Sequence, residues 1–416
     1  MAIQQRLIVI GGGAAGFFCA VNAAGLNPAL EVVILEKTNK VLSKVKVSGG
    51  GRCNVTHACF SIEDMIHAYP RGAHFLKKAF HHFFTTDTIQ WFKERGVLLK
   101  TEADGRMFPA TDNSQTIIDC LMQEAAKHQV KVNLQQEVKS IACSASGFEV
   151  RTGPGSILAA DFICVAVGGY PKAVMFEWLR GIGHEVVDPV PSLFTFNIRD
   201  KPLNQLQGLS LNAQVKIAGS KLTARGPLLI THWGLSGPAI LRLSAWAARD
   251  LANRLPSYQF ILQVNWLPDL PEESLRDQCK QYRYDWAKRQ LSGNNPFGLP
   301  SRLWDYLLQQ AGIRKDQKWA ELASTAQNKL IGLVHAQQFQ VEGKTTFKEE
   351  FVTAGGLALT EIDPHTMQSK ILPNVYFAGE VMDVDALTGG FNFQHAWTSG
   401  FIAANAIARV SLTNAM

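Results

Sequence analysis

Eleven residues near the N-terminus constrain this chain more than any others: Arg6 to Ile10 reads RLIVI, and Gly11-Gly12-Gly13-Ala14-Ala15-Gly16 follows directly. So short an apolar run suits a buried strand rather than a helix, and the alanine-rich stretch to Gly25 has helical character. The order is therefore strand, tight turn, helix. Gly11, Gly13 and Gly16 occupy the glycine positions of G-x-G-x-x-G, where side chains would obstruct the turn, the approach of a pyrophosphate, and helix-on-strand packing. The helix beginning near Gly13 offers free N–H groups and a positive dipole end that favour phosphate. A second apolar run, Val32 to Leu35, ends at Glu36, twenty residues after Gly16, where a carboxylate can accept hydrogen bonds from ribose hydroxyls. The pattern predicts a dinucleotide-binding βαβ unit.

The far end of the chain selects FAD over NAD. From Phe377 it reads FAGEVMDVDALTGGFNFQHAWTSGFIAANAIA, a strand ending at Gly379-Glu380, then Asp383, Gly389-Gly390 and an alanine-rich helix. Such a returning segment can close over a flavin's ribityl chain and pyrimidine edge, with Asp383 as a hydrogen-bonding group and the two glycines admitting backbone close to the ring. A nicotinamide domain needs no such return.

Five blocks carry a family resemblance: KVSGGGRCNVT (Lys46 to Thr56), GRMFP (Gly105 to Pro109), THWGLSGPAIL (Thr231 to Leu241), FVTAGGLALTEIDPHTMQSK (Phe351 to Lys370) and YFAGEVMDVDALTGGFN (Tyr376 to Asn392). In that order they resemble the aminoacetone oxidase and bile-acid reductase-like flavoproteins, a family that includes bacterial enzymes making dihydrouridine in large-subunit ribosomal RNA. The resemblance runs from end to end. It implies an α/β, glutathione reductase-like Rossmann domain that binds FAD and is split by an inserted β-barrel-like and helical domain: 1–189 and 346–416 for FAD, 190–345 for substrate. Alternation at Leu209, Leu211, Ala213, Val215 and Ile217, and at Tyr258, Phe260, Leu262, Val264 and Trp266, agrees with strands, and helical patterns fill roughly 271–291 and 316–338.

By matching position, the resemblance implies FAD contacts at Gly11, Gly13, Ala14, Gly16, Glu36, Lys37, Gly50, Gly51, Arg52, Cys53, Val138, Gly168, Gly379, Asp383, Gly390, Phe391 and Asn392. Val138 is expected to grip adenine through its backbone. Two positions depart from the family pattern. The middle motif is Ala166-Val167-Gly168-Gly169-Tyr170-Pro171 instead of alanine-threonine-glycine-glycine, and His395 replaces an expected tryptophan or other apolar residue and reads as a packed side chain.

A flavin passes hydride through N5, so the protein must position an acceptor and manage a proton. Cys53 and His232 are the candidates. Cys53 follows Arg52 in a glycine-rich loop, a setting expected to lower a thiol pKa; the alternative is a small residue packed against the flavin. His232 precedes a helix that Ser236 or Gly237 opens and Pro238 pre-sets, and either touches flavin or substrate or holds the turn. A Cys53–Cys59 redox disulfide is disfavoured, because five residues intervene instead of four and a second nucleotide fingerprint is lacking. If NAD(P)H is the transient hydride donor, it docks without its own Rossmann domain.

Charge narrows the partner. Between 188 and 345 there are nineteen Lys and Arg against twelve Asp and Glu, so the insertion carries the basic excess of a chain whose net charge is +6. Arg276, Lys280, Arg283, Lys288 and Arg289 surround Tyr282, Tyr284 and Trp286, mixing phosphate-seeking and base-stacking groups; a solvated basic helix with core-facing aromatics is the plain alternative. The substrate is expected to be ribosomal RNA or a small amine, ketone or enone. Seven scattered cysteines suggest neither zinc nor a disulfide framework, and no apolar run reaches the roughly 20 residues of a bilayer span. Neither metal nor membrane is expected, and the cytoplasm is the expected compartment.

Overall fold

The computed structural model describes residues 4–145, 147–153, 155–346 and 352–414. The chain divides into two compact units, Met1–Ser192 with Lys348–Met416, and Leu193–Phe347. Phe351, the first residue of one resemblance block, lies outside the described residues.

The first unit is built on a parallel sheet. Strand β1 (Arg6–Ile10) lies between β2 (Glu31–Leu35) and β4 (Phe162–Val165), with β3 (Lys131–Asn133) outside β2 and the C-terminal strand Val375–Phe377 outside β4. Four of the five residues of β1 are fully buried, as are four of five in β2 and all of β4, which is what a sheet covered on both faces requires. Helix α1 (Ala14–Leu26) crosses from β1 to β2, and the C-terminal helix Phe391–Asn414 packs against it. Phe17, Phe18, Trp397 and Phe92 fill the space around that contact, with Phe18 and Trp397 ring centroids 5.2 Å apart.

The second unit is a seven-stranded antiparallel sheet faced by helices. It includes β5 (Ser210–Ile217) and β6 (Thr223–Thr231), and helices α2 (Pro238–Ala252) and α3 (Glu272–Asp285). Ala213, Val215 and Ile217 of β5, and Phe260, Leu262 and Val264 of the next strand but two, all point into one core. The sheet curls back on itself, because edge strand Gln337–Val341 continues after Glu342 alone into Gly343–Thr345 at the opposite edge. The two edge strands are consecutive in the chain but have no ladder between them among the described residues, so the sheet is curled and not closed by hydrogen bonds. A helix over Ser301–Ala311 adds Leu303, Trp304 and Leu307 to its core, a contribution the sequence patterns above did not include.

Candidate flavin site

The three glycines of the first turn do different work. A Cβ on Gly11 (φ +112°) would come 2.4 Å from the Ala166 carbonyl oxygen at the end of β4, and one on Gly16 would come 2.0 Å from the Gly11 carbonyl oxygen. Those two positions are closed by the protein's own backbone. Gly13, the N-cap of α1, has nothing within 4 Å of where its Cβ would stand. A group can therefore approach the first N–H groups of α1 there, and this open cradle at a helix N-terminus fits a pyrophosphate.

Glu36 leaves β2 with both carboxylate oxygens engaged: Oε2 accepts from Gly12 N–H at 2.9 Å and Oε1 from Thr38 N–H at 2.8 Å. These bonds fix the carboxylate beside the glycine turn, leaving further lone pairs for hydroxyl donors. A cavity of about 320 Å³ opens there, lined by Gly11, Glu36, Lys37, Val138, Tyr170 and Trp178 among others. Lys37 Nζ lies 5.5 Å from the Tyr170 ring centroid, and burial pushes the Tyr170 hydroxyl up to about 12. Val138, the first residue of the strand Val138–Ser144, lines this cavity.

A second carboxylate stands at the end of the last parallel strand. Glu380 Oε1 accepts from Thr353 N–H at 2.9 Å and Oε2 pairs with Lys44 Nζ at 2.6 Å, beside Gly168 and Gly169. Sequence reasoning chose Asp383 in this segment and passed over Glu380 and Lys44. The available signal was position: like Glu36, Glu380 follows the carboxyl end of a parallel strand, where open α/β sheets bind ligands. Gly379, just before it, donates its N–H to Ser399 Oγ of the C-terminal helix. Asp383 is half-buried, its N–H donated to the Leu357 carbonyl.

The glycine-rich loop after Lys46 breaks its helix at Ser48, and Gly49 and Gly50 take left-handed backbone. Gly51 continues with positive φ, and so does Cys53 at +62°. The expectation that Arg52 lowers the Cys53 thiol pKa is corrected here. Cys53 is completely buried among protein atoms, and desolvation pushes its thiol up to about 12. Arg52 turns away to Glu102 at 2.6 Å and stacks on Phe108 at 4.0 Å. Cys53 and Cys59 are both free thiols.

Behind this loop lies the closing segment. His57, not singled out from sequence, stacks on Phe391 at 4.5 Å between ring centroids, with Nδ1 3.0 Å from the Gly389 carbonyl oxygen. Asn392 brackets Ala386, accepting from its N–H and donating to its carbonyl, so its amide shapes the loop. Asp385, fully buried, forms an ion pair with Arg71 and accepts from Ser192 Oγ. Burial raises the Asp385 pKa against the pull of Arg71. His395 is also buried, neither ring nitrogen has a hydrogen-bond partner, and desolvation lowers its pKa to about 4 despite the nearby Gly379 carbonyl and Glu380.

His232 belongs to the second unit, at the exposed turn between β6 and Gly234–Ser236, its ring 4.0 Å from that of Trp233. In α3 the aromatics divide. Tyr282 and Trp286 pack on Trp319, while Tyr284 is exposed. Of the five basic residues around it, Arg276 pairs with Glu272 and Lys280 with Asp277, both on the surface. Among the described residues no group of three or more His, Cys, Asp or Glu could hold a metal ion, and no helix is long and apolar enough to cross a membrane.

Comparison with known proteins agrees with this architecture. Residues 5–406 match the HI0933-like protein Rossmann domain family. The ribosomal RNA dihydrouridine synthase of Escherichia coli K12 is 30% identical over 95% of this chain and 96% of its own. The 3-dehydro-bile acid delta(4,6)-reductase of Clostridium scindens is 27% identical over 97% and 99%. Among solved structures, the 3-ketosteroid-delta4-(5alpha)-dehydrogenase of Rhodococcus jostii RHA1 superposes with a TM-score of 0.52 at 14% identity, covering 97% of both chains, a likeness of fold. With a glycine turn, a carboxylate after β2 and a closing C-terminal segment on one parallel sheet, the chain belongs to the HI0933-like Rossmann family and is a flavin-dependent oxidoreductase.

Proposed function

We propose that this enzyme reduces a carbon–carbon double bond, and that its substrate is a uridine of large-subunit ribosomal RNA, converted to dihydrouridine. The observation that carries the reading is the 30% identity to the Escherichia coli enzyme along nearly the whole of both chains. FAD is the proposed cofactor, and when bound it supplies hydride transfer at N5. Gly11, Gly13, Ala14 and Gly16 would hold the pyrophosphate on α1, Glu36 and Lys37 the ribose, and the Val138 backbone the adenine. Gly50, Gly51, Arg52, Gly168, Gly379, Glu380 and Asp383 would line the ribityl chain, with Gly390, Phe391 and Asn392 at the ring. Cys53 is assigned to packing beneath that loop.

Reduction of the double bond consumes one hydride and one proton. NAD(P)H is the proposed hydride source, and the exposed His232 the proposed proton donor, a role worth roughly 10²–10⁴-fold in rate. A second reading has a specific observation behind it: the Clostridium scindens relative, 27% identical over 99% of its length, is named for reducing a bile acid. On that reading the substrate is a small conjugated ketone.

Mapping dihydrouridine in large-subunit RNA from cells with and without the gene tests the first reading. Loss of one modified position on deletion, restored by the wild-type gene, is the expected result. An unchanged profile, together with NAD(P)H-linked reduction of an enone in the absence of RNA, would replace it with the second.

A further inference from the structure

The basic excess of the second unit is concentrated away from α3. Between residues 201 and 249 there are six Lys and Arg and no Asp or Glu, whereas residues 272–289 hold five basic residues against four acidic ones. The acid-free stretch forms the β5–β6 hairpin and α2. Lys216, Lys221 and Arg225 are exposed on the hairpin, and Arg242 and Trp246 are exposed one turn apart on α2, Trp246 with 44% of its surface accessible. Arg242 Nη1 donates to the Arg225 carbonyl at 3.3 Å, which sets strand and helix side by side. Arg225 pairs with Asp269, itself 82% exposed, a surface contact that a phosphate can displace at little cost.

We propose that this face, and not α3, is the RNA-docking surface, with Arg225 and Arg242 on phosphates and Trp246 stacked on an unpaired base. The proposal rests on the RNA reading above. Its chemistry is that of nucleic acid: exposed cations on a stretch with no Asp or Glu of its own, beside an accessible indole, suit a polyanion that also offers flat aromatic faces. An exposed indole one helical turn from Arg242, whose guanidinium is held on the Arg225 carbonyl, matches the stacked base and adjacent phosphate of RNA.

The test uses the flavin-loaded protein and a labelled stem-loop transcript of large-subunit ribosomal RNA, with affinity measured by anisotropy from about 50 to 200 mM salt. Removing two phosphate contacts in an Arg225→Ser/Arg242→Ser variant should flatten the slope of log K on log salt by about 1.8, so the fourfold salt increase costs about tenfold less affinity than in wild type. Trp246→Ala should weaken binding by about tenfold with the slope unchanged. Lys280→Ser/Arg283→Ser on α3 should leave both quantities as in wild type. Flavin content and melting temperature establish that each variant is folded. A hairpin variant indistinguishable from wild type, an α3 variant that loses the slope, or binding to anionic phospholipid vesicles in place of RNA overturns the assignment. Wild-type protein with no salt-dependent RNA affinity removes the RNA reading itself, a different outcome from an RNA-binding protein whose hairpin variant is unaffected.

Discussion

Replacing His395 with phenylalanine should make the protein less sensitive to acid. Its imidazole has 2% of its surface accessible, and neither nitrogen has a hydrogen-bond partner. Burial holds its folded-state pKa at about 4, against 6.5 for an ordinary histidine. Between those values the unfolded chain binds a proton that the folded chain refuses, so stability rises with pH across that window and falls as pH drops through it. At about 1.36 kcal/mol per unit, the loss amounts to about 2 kcal/mol by pH 5 and about 3 kcal/mol by pH 4. Phenylalanine has nothing to titrate, and every other ionisable group is shared, so the difference between the two proteins isolates this residue. Urea unfolding of the flavin-loaded proteins at pH 7 and pH 5, followed by tryptophan fluorescence, should show wild type losing about 2 kcal/mol more than the variant. Equal losses would refute the argument, because they would mean the ring protonates as readily folded as unfolded.

Three further substitutions probe the flavin site. Gly16→Ala should abolish flavin retention, because its Cβ would lie 2.0 Å from the Gly11 carbonyl oxygen, and flavin absorbance of the purified protein reads this directly. Glu36→Ala removes the acceptor for the Gly12 and Thr38 N–H groups and should weaken FAD binding by about tenfold or more in a fluorescence titration. Asp385→Asn removes the fully buried carboxylate that pairs with Arg71 and accepts from Ser192, and should cost about 3–5 kcal/mol in unfolding free energy; a change below about 1 kcal/mol would show the pair to be dispensable.

How much of this was legible depended on how local each requirement is. The roles of Gly11 and Gly16 could be read directly, because the clashes that exclude a side chain arise where β1, the turn and β4 meet, and the spacing of the motif encodes that meeting. Glu36 was legible for a related reason, since its distance from Gly16 is the length of one helix and one strand. Glu380 was harder. Its partners Lys44 and Thr353 meet it only in the folded chain, and its position just after a strand is the one local signal that sets it apart from Asp383 three residues later. His57 carries no spacing signal at all, because its contacts with Gly389 and Phe391 span more than three hundred residues. Around α3 a count of basic residues alone passes over the acids one turn away, Glu272 and Asp277, with which Arg276 and Lys280 pair.

Cys53 makes the same point about chemistry and leads to the sharpest remaining prediction. In one dimension it neighbours Arg52, and a cation beside a thiol implies a thiolate. In three dimensions Arg52 is committed to Glu102 and Phe108, and the thiol is sealed inside the core with its pKa pushed up to about 12. A group so placed stays a neutral thiol at neutral pH, covered by protein atoms. Cys53→Ala should therefore keep its turnover within a few-fold of wild type, against the roughly 10²–10⁴-fold loss expected on removing a general acid. Because Cys53 is fully buried in the core and alanine leaves its sulfur's space unfilled, the variant's melting temperature should fall while its rate of flavin reoxidation by substrate holds. A rate that collapses while the melting temperature is retained would return the thiol to the reaction and require the loop to open during turnover.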